Sequence, residues 1–73
     1  MKPPTKIGDV VLRVIDSKSS IYAVGLVRHD GDLFGSNEVS ITGKREARAK
    51  ARELSPHGRI FRVENADEWN EEK

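Results

Sequence analysis

Thr42-Gly43-Lys44-Arg45-Glu46-Ala47-Arg48-Ala49-Lys50-Ala51-Arg52-Glu53-Leu54-Ser55-Pro56-His57-Gly58 is the stretch on which the fold turns. It reads as one basic helix with its stop signal. Thr42 is placed to cap the start, and Ser55-Pro56-His57-Gly58 ends it. Between them, Gly43 to Leu54 carries five basic residues and two acids. At helical spacing Arg45, Arg48 and Arg52 share one face, opposite Ala47, Ala51 and Leu54. None of the three arginines has an acid three or four positions away inside the helix. Like charges at that spacing cost a few tenths of a kcal/mol, where Glu–Arg pairs would gain about as much. An arginine stripe without acids at helical spacing is a place where a polyanion or an acidic protein can sit. It is also the pattern of an ordinary solvated face. Glu46 and Lys50 form a favourably ordered i,i+4 pair on the flank.

The segments around this helix read as strands. Residues 1–8 are an irregular lead-in, because Pro3-Pro4 cannot donate ladder hydrogen bonds and Gly8 punctuates. Val10-Val11-Leu12-Arg13-Val14-Ile15 is a β-branched run of strand length, closed by the polar turn Asp16-Ser17-Lys18-Ser19-Ser20. Ile21 to Arg28 is a second strand. Its near-continuous apolar character predicts a central position with cover on both faces, or a dimer face on one of them. Asp30-Gly31 between two strand-like runs favours a type I′ hairpin, since glycine accepts positive φ without penalty. The third strand, Leu33 to Ile41, is weaker. Leu33, Val39 and Ile41 alternate onto one face with Gly35 and Asn37; Phe34, Ser36, Glu38 and Ser40 take the other. Gly35-Ser36-Asn37 is placed for a bulge or bend. After the helix, Arg59-Ile60-Phe61-Arg62-Val63-Glu64 is a fourth strand with apolar area on both faces. Asn65 to Lys73 is polar except for Ala66 and Trp69, and Trp69 is expected to dock back onto its own domain. The expectation is an α+β fold: a small three- or four-stranded, mainly antiparallel sheet with one helix packed on it, in the order β-β-β-α-β. Residues 9–64 form its single domain, and an acidic tail occupies 65–73.

Composition bounds the function. At 73 residues the core is thin, and such domains are commonly reinforced by disulfides, metals or a partner chain. There is no cysteine, and two isolated histidines do not make a metal site. That leaves a partner chain, so a homodimer is a reasonable expectation. Cysteine-free composition fits a reducing cytosol. The amino terminus lacks the apolar run of a secretory signal, and no segment is long enough to span a membrane. Net charge is +1, unevenly laid out: zero over residues 1–41, +4 over 42–59 and −3 over 60–73. A dedicated nucleic-acid binder often has a larger basic excess. The acidic tail can fold over the arginine face or stay solvated.

Tyr22-Ala23-Val24, Asp30-Gly31, Thr42-Gly43-Lys44-Arg45-Glu46-Ala47 with Ala51-Arg52-Glu53, and Gly58-Arg59-Ile60 together resemble a small bacterial family catalogued as domain of unknown function number 2188. The resemblance covers residues 10–64. It implies an aromatic-led strand, a strand ending in Thr-x-x-x-Glu-Ala, a helix and a last strand, and it implies no activity. The family's usual tryptophan position is Tyr22 here, and the Asp-Gly often found after the last strand is absent. Tyr22 to Arg52 is also similar to the amino-terminal arm-binding domains of phage-type integrases, which lay a three-stranded sheet on DNA with a helix behind. That likeness implies Tyr22, Arg28 and Lys18 as contacts, whereas the basic stripe of this chain lies on the helix. Antitoxin-like sheet domains built as Tyr-x-Val…Asp-Gly…Thr-x-x-x-Glu-Ala are a third likeness.

Catalytic groupings are absent from the pattern. Asp30 and Asp32 flank Gly31 as turn residues, with no calcium loop around them. Ser55 and His57 belong to the helix stop, and His29 beside the hairpin reads as a surface residue. Neither Gly31 to Gly35 nor Gly43-Lys44 matches a phosphate-cradling loop. A non-enzymatic protein is therefore expected, without cofactor, metal or small-molecule substrate. Two binding readings follow. The favoured one is protein–protein interaction, as a homodimer or as an accessory or inhibitor of a larger partner, with Tyr22, Val24 and Leu26 on the apolar second strand as the self-association residues. The alternative is nucleic-acid backbone binding through Arg45, Arg48 and Arg52, with Lys44 and Arg59 at the rim.

Overall fold

The β-branched run that begins at Val10 becomes the middle strand of a five-stranded sheet. A computed structural model of the chain describes residues 5–29, 35–65 and 68–72. Its elements are β1 (Val10–Asp16), β2 (Ile21–Leu26), β3 (Ser36–Thr42), α1 (Lys44–Leu54), β4 (Ile60–Asn65) and β5 (Glu68–Glu72). The strand order is β3-β2-β1-β4-β5. β1–β2, β2–β3 and β4–β5 are antiparallel; β1 and β4 are parallel. The expected α+β class and mainly antiparallel sheet are therefore present, with one strand more than expected.

Parallel neighbours cannot be joined by a hairpin. Here α1 supplies the crossover, leaving the β3 edge and returning the chain to β4 on the far side of β1. Its principal contacts are with β2, β1 and β3. Ala47 and Ala51 are fully buried beneath it, and their small side chains let the helix axis lie close to the sheet. They pack with Val10, Leu12, Tyr22, Val24 and Ile60, while Val14, Leu26, Ile41 and Leu54 extend the cluster. On the other face Val11, Val27 and Val63 form a second cluster against which Trp69 packs. Phe61 meets Trp69 edge-on, with ring centroids 6.3 Å apart.

The fifth strand corrects the reading of residues 65–73 as a tail. Glu and Asn have little preference for strands, so Glu68-Trp69-Asn70-Glu71-Glu72 gives no strand signal. Its pairing is imposed from outside: β4 presents an open edge, and Trp69 lies opposite Val63 over the second core. Trp69 thus docks back as expected, and it brings a strand with it.

The helix start also differs from expectation. Thr42 is the last residue of β3, paired with Ile21, and its side chain caps nothing. Gly43 occupies the cap position with φ of 100°, a conformation glycine adopts without the cost of a Cβ. Its N–H donates to the Ser20 carbonyl at 2.7 Å, and its carbonyl accepts from Ala47 N–H at 3.0 Å. On the flank Lys50 pairs with Glu53 at 3.4 Å rather than with Glu46. The helix stop is where the sequence puts it: the Ser55 N–H donates to Ala51 and the chain turns at Pro56-His57. The third strand holds the expected irregularity. Gly35 and Asn37 both have positive φ, and the β2–β3 register shifts between Val24 and Leu26. Residues 1–4 of the lead-in, the Asp30-Gly31 turn with Asp32, and Leu33 and Phe34 lie outside the described residues.

Candidate basic-helix site

Burying Ala47 and Ala51 fixes the rotation of α1, and that rotation sends its cations outward. Lys44, Arg45, Arg48 and Arg52 line one open hollow of about 610 Å³, with Ala49 between them. The arginine face expected from the spacing is therefore assembled, and Lys44 joins it. Each of these cations is nonetheless held differently.

Among the described residues, Arg45 has no hydrogen-bond or ion-pair partner. Arg52 is anchored: one guanidinium nitrogen donates to the carbonyls of Gly58 at 3.1 Å and Pro56 at 3.5 Å. A cation over the last turn also opposes the negative end of the helix dipole. Lys44 reaches across to β5, its Nζ 3.3 Å from Oε1 of Glu72. Glu72 lies opposite Ile60, so alternation places it on the helix side of the sheet beside Arg62. Its Oε1 is 3.6 Å from Nε of Arg62, whose other nitrogen pairs with Glu64 at 2.7 Å.

Arg59 does not join this group. It flanks Phe61 on the opposite face, where its guanidinium lies 4.9 Å from the ring centroid. There it pairs side-on with Asp9, through Nε at 3.2 Å and a terminal nitrogen at 2.8 Å. Hydrogen bonding to Asp9 raises the Arg59 pKa above its ordinary value, with burial opposing. The same cause, with Glu38 as acceptor, raises that of Arg13. The rim role expected of Arg59 is thus replaced by a structural one.

The self-association residues are corrected in the same way. Tyr22 and Val24 are buried under α1, and Leu26 packs on the same cluster. β2 is flanked on both sides by β1 and β3, so it presents no free edge to a second copy, and its four central residues are buried. The apolar continuity that pointed to a dimer face is the continuity of a strand covered on both faces.

Ser55 and His57, the one described serine–histidine neighbourhood singled out in the sequence, are not brought together as a catalytic pair. The Ser55 hydroxyl donates to the Gly8 carbonyl at 2.6 Å, and His57 is exposed. Among the described residues, no three His, Cys, Asp or Glu side chains gather as a metal site, and no helix is long and apolar enough to cross a membrane.

Sequence reasoning missed Glu72 and Arg62 as neighbours of the basic face. The available signal was the opposite charge of segments 42–59 and 60–73. Comparison with family models, curated proteins and solved structures finds no match for this chain.

Proposed function

We propose that this chain is a small non-enzymatic binding protein that holds the phosphate backbone of duplex nucleic acid on the exposed face of α1. The observation that carries the reading is the convergence of Lys44, Arg45, Arg48 and Arg52 on one hollow. Arginine forks match phosphate oxygens, and Arg45, Arg48 and Arg52 at i,i+3 and i,i+4 spacing on one helix face repel one another in a way that an anionic partner relieves. Backbone contact is favoured over base recognition. Tyr22 is enclosed in the core, and Phe61 and Trp69 lie on the opposite face, so the described residues offer this surface no aromatic ring for stacking. The fold also weakens the competing homodimer reading, because Tyr22 and Val24 are interior and Leu26 is partly buried against their cluster.

The test is fluorescence anisotropy of a labelled duplex titrated with the protein at low and at physiological salt. Saturable binding is expected, with a log–log salt slope of about −3, near −0.9 for each phosphate neutralised. Arg45→Glu combined with Arg48→Glu should abolish it while leaving the circular dichroism unchanged. An absence of binding at low salt would make the stripe a solvated face and return the search to protein partners.

A further inference from the structure

We infer that Glu72 is a built-in competitor for the basic face: its carboxylate occupies Lys44 and so removes one cation from the polyanion footprint. The inference rests on the polyanion reading above and deepens it by naming a residue that tunes affinity.

Three observations carry it. First, β5 is pinned to β4 by its register and by Trp69, which delivers Glu72 to the edge of the hollow. Second, Oε1 of Glu72 lies between two cations, 3.3 Å from Lys44 Nζ and 3.6 Å from Arg62 Nε. Third, that oxygen and Arg62 Nε are both buried, and neither completes a well-directed hydrogen bond. A buried acceptor with attractive charges but poor geometry is only partly compensated for its lost water. Lys44 is therefore neutralised by this contact, and a phosphate that took its place would have to leave the Glu72 charge uncompensated. Displacement has a consequence: it leaves the Glu72 charge beside the incoming anion. In the native chain Arg45, Arg48 and Arg52 bear the footprint, and Lys44 enters it only when Glu72 loses its charge.

Glu72→Gln keeps the shape and removes the charge, and the duplex titration reads the result. Recruiting Lys44 adds about one phosphate contact, which makes the salt slope steeper by about 0.9. Equivalently, the affinity loss between about 50 and 200 mM salt becomes about threefold larger than in the native chain. Lys44→Gln alone should leave the native slope unchanged, and the same change placed on Glu72→Gln should cancel the gain. Equal slopes for the native chain and Glu72→Gln, with both binding, overturn the inference and leave the proposed function standing. A native slope made shallower by Lys44→Gln overturns it as well, and serves as the test should Glu72→Gln fail to fold. Absence of binding by the native chain and by Glu72→Gln at low salt overturns both the proposed function and the inference.

Discussion

The carboxylate of Asp9 and the guanidinium of Arg59, fifty residues apart in the chain, are joined by two hydrogen bonds of 2.8 and 3.2 Å. Asp9 also accepts from the Lys6 backbone N–H at 2.8 Å, and its side chain is almost wholly buried. The pair thus ties the entry to β1 to the entry to β4, where the Val10 N–H donates to the Arg59 carbonyl. The two partners differ in exposure, 5% for the Asp9 side chain and 38% for Arg59. Removing either one therefore has a different consequence. Arg59→Met leaves a buried carboxylate short of donors and should cost about 3 kcal/mol, the low end for a broken buried pair because Arg59 is itself partly exposed. Asp9→Ala leaves an arginine that can swing into water and should cost less, about 1–2 kcal/mol. Urea unfolding of the two variants checks the order; a reversed order would mean that the Lys6 turn, rather than the ion pair, is what Asp9 maintains.

Gly58 sits where the chain leaving the helix crosses the chain entering the sheet. A Cβ at this position would fall on the Gly8 carbonyl and on the Ser55 hydroxyl that donates to it. The backbone cannot yield there without breaking that bond. Gly58→Ala should therefore destabilise the domain by about 1–3 kcal/mol, the usual range for overpacking. A shift of the urea midpoint without a change in m-value is the expected signature.

Trp69 holds the last strand against the sheet through Phe61 and the Val11–Val27–Val63 cluster. Trp69→Ala should cost about 3 kcal/mol, the lower end for a large aromatic because the ring is only partly buried. The loss should be local first. Amide exchange is expected to quicken along β4 at Phe61 and Val63 before it does so in β1. Uniform quickening would mean that β5 and the rest of the sheet open as one unit.

Arg45 and Arg52 share a helix face but not a structural duty. Arg52 is bonded to the carbonyls of Pro56 and Gly58, whereas Arg45 has no partner among the described residues. Arg52→Gln should lower stability by about 1 kcal/mol through the lost carbonyl contacts. Arg45→Gln should stay within about 0.5 kcal/mol, as surface changes usually do. Thermal melts distinguish them, and the result makes Arg45 the cleaner probe of binding.

The readable part of this molecule lies where local signals agree. Val10 to Ile15 has four β-branched residues in six, and Ala47, Ala51 and Leu54 fall on one helical stripe. Ser55-Pro56-His57-Gly58 stops the helix within one turn. Each of those signals depends on residues a few positions apart, so each survives without knowledge of the rest of the chain. The failures are non-local. Tyr22, Val24 and Leu26 offer the same apolar pattern whether their cover is a second copy or α1. Arg59 offers the same charge whether its neighbour is a phosphate or Asp9. Glu68 to Glu72 has four strand-poor residues around Trp69, and the open edge of β4 with the packing of Trp69 makes it a strand.

The sequence by itself determined the α+β class, the helix and its arginine face, because periodicity and backbone chemistry are properties of short segments. Tertiary structure alone decided which charges stand together. Parallel pairing of β1 with β4 brings Asp9 to Arg59, and antiparallel pairing of β4 with β5 brings Glu72 to Lys44. Both contacts depend on strand register, which is set by the burial of whole faces rather than by the residues that end up in contact.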